Sequence, residues 1–143
     1  MQELDELTQA LYQSISFEKG EQPDLPGLGS LFYEGGRLIN NNKDQPQEYT
    51  VQQFIQVVEE QIESGSLVAF REQEISSRTE VFGKIAHRFS TYEAYLNDLG
   101  AAPFSVGINS IQFMKVKDKW YVCSMVWNDQ QQDRLIPAKY FEY

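Results

Sequence analysis

Residues 104–127 constrain the fold of this chain more than any other stretch. Two long runs, dense in β-branched and aromatic residues, flank a Lys117-Asp118-Lys119 turn. Such runs around a polar tight turn form an antiparallel hairpin. A second pair precedes it, so that 67–82, 84–95, 105–116 and 119–128 read as four strands, with Phe82-Gly83 and Lys117-Asp118 as tight turns. The stretch 97–103 is a longer connection.

The first sixty residues carry a different period. Leu4, Leu7, Leu11 and Ile15 recur at helical spacing and give one apolar stripe. Asp24 is placed to cap a short second helix carrying Leu28, Leu31 and Phe32, with Gly35-Gly36 to end it. Residues 37–39 read as a short strand and 40–47 as an exposed polar loop. Thr50 and Gln53 fit a capping box, and Val51, Phe54, Ile55, Val58 and Ile62 follow on one helical face. The whole predicts a single α+β domain over residues 1–143. Its strongly curved mixed or antiparallel sheet wraps around about three N-terminal helices, forming a cone with an internal pocket. An aromatic tail, 136–143, is expected to dock on the body.

Charge narrows the partners. Twelve Lys and Arg are scattered among 21 Asp and Glu, for a net charge of −9. Nucleic acid and anionic membranes demand clustered basic residues, so neither is expected as a partner. The single Cys123 excludes an intrachain disulfide and a cysteine-based zinc site. With one histidine besides, no metal and no cofactor are expected. No apolar run reaches the ~20 residues of a membrane span. The acidic, amphipathic first residues lack the pattern of a signal peptide, which leaves a cytoplasmic protein as the expectation.

The order of elements, with GKIAHRFSTYEAY (83–95), GINSIQF (107–113), KWYVCSMVW (119–127) and IPAKY (136–140), resembles a bacterial subgroup of the nuclear-transport-factor-2-like superfamily, also called SnoaL-like or cystatin-like. That resemblance implies the α+β cone and a homodimer. Alignment of the last strand with the superfamily's ketosteroid isomerases places Trp127 on their pocket-lining tryptophan. The same register puts Ser110 on their oxyanion-hole aspartic acid, brings Gln112 to the same face, and turns His87 and Phe89 inward. Tyr12 is a loose match to their oxyanion-hole tyrosine. Their carboxylate base is missing: the corresponding segment reads Leu38-Ile39-Asn40-Asn41, and an amide is no base at neutral pH. That activity is therefore rejected.

The expected pocket is lined by Tyr12, Phe54, His87, Phe89, Ser110, Gln112, Met125 and Trp127. Its ligand would be a small apolar or amphipathic molecule, bound without established catalysis. A lyase or isomerase using His87 as general acid and base is the alternative, since its imidazole titrates near neutrality. Glu72, Glu74, Glu80 and Arg78 share a face by parity and read as a solvated strand face; were that face to curl inward, Glu74 would pair with His87. If Cys123, Met125 and Trp127 face inward, Val122, Val126, Ile111 and Phe113 face outward. An apolar outer face suggests a sheet-to-sheet homodimer, or, as a third reading, a dimeric protein-interaction module.

Overall fold

The computed structural model describes residues 1–142. In chain order it contains α1 (Gln2–Ile15), α2 (Leu25–Leu31), β1 (Phe32–Asn40), β2 (Gln47–Thr50), α3 (Val51–Glu63), β3 (Phe70–Phe82), β4 (Ile85–Leu96), β5 (Ser105–Val116) and β6 (Lys119–Asp129), followed by a 3-10 turn at Ala138–Phe141. Local chemistry sets most of these limits. The Asp24 carboxylate accepts the Gly27 amide at 3.0 Å and starts α2. Thr50 and Gln53 close a reciprocal capping box at the start of α3. Lys117 and Asp118 both take positive φ, which matches the twist of the hairpin they join.

The strands form one six-stranded mixed sheet, ordered β2-β1-β6-β5-β4-β3. Among the described residues only β1 and β6 run parallel. The sequence reading misses β2 altogether. It also ends the second helix at Gly35-Gly36, whereas α2 stops at Leu31 and both glycines lie inside an irregular β1.

The expected cone does not form. The sheet is open, with β2 and β3 at opposite edges and unpaired to each other, so it does not curl around the helices. Two local features stop it. The edge strand β2 is four residues long and runs straight into α3, so the ladder has nothing to extend on that side. On the other side β3 gains only a bridge between Phe17 and Phe70. All three helices instead lie on one face, over a core of Leu4, Leu11, Leu28, Leu38, Ile111 and Phe113.

Alternation along the strands fixes what faces the helices. On β4 the buried inner residues are Ala86, Arg88, Ser90, Tyr92 and Ala94, while Ile85, His87 and Phe89 are exposed on the outer face. Across the helix-facing side the register aligns three rows: Arg88 with Ile111 and Met125, Ser90 with Asn109 and Trp127, and Tyr92 with Gly107 and Asp129. Two strands carry an unpaired extra residue, Ile75 in β3 and Cys123 in β6. The bulge at Cys123 keeps both Val122 and Met125 inside. Ile111, Phe113 and Val122, expected on an outer dimer face, are therefore core residues; of that set only Val126 faces outward.

Part of the outer face is covered by the chain itself. The Tyr140 carbonyl accepts the hydroxyls of Ser76 and Thr91, and the Phe89 and Tyr140 rings lie 5.6 Å apart. Arg78 donates to the Lys139 carbonyl at 2.8 Å. Tyr143, the last residue of the tail expected to dock, lies outside the described residues.

Arg88 is the charge on which this packing turns. Its side chain is 4% exposed, and its guanidinium donates two bonds to Glu74 and one, at 2.6 Å, to Asp5 on α1. Removing one partner of a buried pair costs about 3–5 kcal/mol, because the other charge is stranded. Arg88→Met is expected to lose stability on that scale in urea unfolding, and a double variant with Glu74→Leu to recover part of it.

Candidate functional site

A cleft of about 460 Å³ opens between α3 and the helix-facing side of the sheet. One wall is aromatic. Phe54 on α3 meets Trp127 edge to face at 6.3 Å and Tyr49 at 6.0 Å. Phe70, Phe104 and Met125 continue the apolar lining. The capping box places Phe54 by fixing where α3 begins, and the bulge at Cys123 leaves Met125 and Trp127 on the inner face.

The floor is polar and comes from the same registered rows. Tyr92, Gly107 and Asp129 stand side by side on β4, β5 and β6. The Tyr92 hydroxyl reaches across Gly107 to donate to Asp129 Oδ1. Glycine is required there: a Cβ at Gly107 would meet the Asn128 carbonyl at 2.6 Å as well as the Tyr92 phenol. Asn42 Nδ2 donates to the other Asp129 oxygen at 3.1 Å, and the Asp129 amide donates back to Asn42 Oδ1.

Glu72 on β3 has the opposite environment. Burial, and then the nearby charge of Asp129, push its carboxyl up from 4.5 to about 8, against a hydrogen bond from the Asn109 amide. At neutral pH Glu72 thus holds its proton. Tyr92 is also held well above its usual range, by burial first and then by Asp129.

Behind this floor runs a polarised chain. Ser90 donates to the Glu74 carboxylate, so it must accept from Tyr12, 2.6 Å away. Tyr12 in turn accepts from Asn109 at 2.9 Å. The hydroxyl proton of Tyr12 is committed to Ser90. Burial raises its ionisation well above the ordinary tyrosine range. A second cavity, about 630 Å³ and lined by polar side chains of α1 and β3, lies on the far side of Tyr12; Glu72 borders both.

The residues expected to line the pocket therefore divide. Phe54, Met125 and Trp127 line the cleft. His87, Phe89, Ser110 and Gln112 do stand together, His87 opposite Gln112 and Phe89 opposite Ser110, but on the outer face. His87 is exposed there and contacts Glu80 at 2.8 Å. Tyr12 faces the second cavity. The parity that grouped Glu72, Glu74, Glu80 and Arg78 breaks at the Ile75 bulge: Glu72 and Glu74 turn inward, Arg78 and Glu80 outward. Asp129, Tyr92 and Asn109 were missed. Asp129 could have been found, since it lies two residues beyond Trp127 and shares its face.

No family model matches the chain, and no curated protein matches it. Solved structures do. A protein of unknown function with a cystatin-like fold from Nostoc punctiforme is 14% identical, with a TM-score of 0.70 over 92% of this chain and 91% of that one. An NTF2-like protein with a cystatin-like fold from Novosphingobium aromaticivorans is 14% identical, with a TM-score of 0.71 over 97% and 84%. A candidate dehydratase of the NTF2-like family from Streptomyces avermitilis is 11% identical, with a TM-score of 0.68 over 91% and 95%. The fold of this chain is thus the NTF2-like, or cystatin-like, α+β fold. Among the described residues no helix is long and apolar enough to cross a membrane.

The raised Glu72 pKa has a measurable consequence. A carboxyl that binds its proton more tightly in the folded state loses stability as pH rises from its unfolded value, near 4.5, to its folded value of about 8. The melting temperature is expected to fall across that window through Glu72. In Glu72→Gln this part of the slope should vanish, leaving the variant more stable than the parent above pH of about 8.

Proposed function

We propose that this NTF2-like chain binds a small, mostly apolar molecule in the cleft between α3 and the sheet, with the polar end of the ligand at the Asp129–Glu72 floor. The observation that carries this reading is a preformed 460 Å³ cleft with an aromatic wall and a few convergent polar groups. The wall supplies apolar contact, and the floor supplies orientation. Native mass spectrometry of the purified protein tests it. A retained small-molecule adduct is expected, and it should be lost in Val58→Trp, which fills the cleft from α3. An adduct equally retained in that variant, with its fold verified by circular dichroism, would place the ligand elsewhere.

A catalytic reading is the second, and one observation favours it. Burial and the nearby charge of Asp129 raise the affinity of Glu72 for its proton, and the second carboxyl stands on the same floor, an arrangement that can divide acid and base roles. Glu72 would donate a proton and Asp129 would accept one. The candidate dehydratase among the structural neighbours is consistent with proton-transfer chemistry in this fold. His87, on the opposite face, has no access to this floor. Turnover of an identified ligand is expected to survive His87→Gln and to fall at least about a hundredfold in Glu72→Gln; the reverse pattern would remove this assignment.

A further inference from the structure

The lining of the cleft is one-sided in charge. It holds two carboxyls, Glu72 and Asp129, and among the described residues that line it there is no lysine, arginine or histidine. The arginines nearby line other cavities. Arg134 bonds the Asp129 backbone carbonyl and belongs to a separate cavity on the outer face. Arg71 lies over the Tyr95 ring, and Arg88 is consumed by Glu74 and Asp5. Sharing the cleft with the carboxyls is the Tyr49–Phe54–Trp127 ladder, whose ring faces are electron-rich. Aromatic faces beside uncompensated carboxylates attract an organic cation and repel an anion.

We infer that the cleft takes a primary or substituted ammonium ligand, its apolar body along Tyr49, Phe54 and Trp127 and its cationic head at Asp129 and Glu72. This rests on the cleft being a ligand site, and it names the charge of the occupant. The acid pair supports it. Burial first, and then the charge of Asp129, keep the proton on Glu72. A cation between the two carboxyls offsets the charge of Asp129 and favours the ionised form of Glu72, displacing its proton. The groups facing Glu72 are Asp129 from β6, Tyr92 from β4, Asn109 from β5 and Tyr12 from α1, with Asp5, Arg71, Glu74 and Arg88 along the second cavity that it also borders; α3 contributes only uncharged side chains to the cleft. Glu72 is therefore the group that releases it. The net charge of −9 further draws cations toward the protein.

Isothermal titration calorimetry with phenethylammonium, phenethyl alcohol and phenylacetate separates the possibilities, because the three share a ring and differ in charge. At neutral pH phenethylammonium is expected to bind at least about tenfold more tightly than the alcohol, with phenylacetate weakest. Titrations in two buffers of different ionisation enthalpy should show proton release on ammonium binding. Asp129→Asn, which can still accept the Tyr92 hydroxyl, should abolish the preference for the cation. Glu72→Gln should abolish the proton release while the ammonium still binds. Alcohol or phenylacetate binding as tightly as the ammonium would overturn the cationic assignment and leave the cleft as a ligand site. Binding of none of the three, with no adduct in native mass spectrometry, would overturn both.

Discussion

A guanidinium buried under a helix organises this protein. Arg88 sits on the helix-facing side of the central sheet, where an unpaired charge would cost several kcal/mol. Its bonds to Glu74 and Asp5 satisfy it, and in doing so tie three elements together: β4, the edge strand β3 and α1. Because Glu74 is held by Arg88, it is also the terminus toward which Ser90, Tyr12 and Asn109 orient their hydrogen bonds. That chain is the back wall of the cleft. The position of α1 and the polarity of the floor thus follow from one buried charge, and such a network rigidifies only when every member is satisfied.

The sequence announces the elements better than it announces their faces. Helical spacing at Leu4, Leu7 and Leu11, the Thr50–Gln53 cap and the Lys117-Asp118 turn all act within a few residues, and each is where local chemistry puts it. Facing depends on partners far along the chain. On β4 the ordinary rule turns Phe89 inward and Arg88 outward, and the fold does the opposite. Arg88 is admitted to the interior by carboxylates on β3 and α1, and Phe89 is sheltered by Tyr140 from the tail. Neither compensation is visible in a window of sequence around residue 88. The isomerase alignment compounded the error, since Ser110 and Gln112 pair with Val126 and Ser124, not with Trp127 and Met125.

The cleft itself was legible in part. Phe54, Met125 and Trp127 follow from periodicity on α3 and alternation on β6. Its acids were not, because charge on a strand ordinarily signals solvent and because Glu72 is separated from Glu80 by a bulge that parity does not register. The Tyr92–Asp129 contact was hidden for another reason: it depends on Gly107, whose missing side chain is what lets the phenol cross a strand. The residue that shapes the floor most directly is the one that contributes nothing to it but space.

The two bulges have a bearing on how this chain could change in length. Ile75 and Cys123 are surplus to their ladders: Glu74 and Ser76 pair with the adjacent residues Tyr92 and Thr91, and Gln112 and Phe113 pair with Ser124 and Val122. Deleting either surplus residue would leave every neighbour on its present face and merely straighten the strand. Deleting any other residue within β3 or β6 would throw part of the strand out of phase and carry core groups into water. These positions are slack in otherwise rigid elements, the points at which a lineage could gain or lose a codon without turning the cleft inside out.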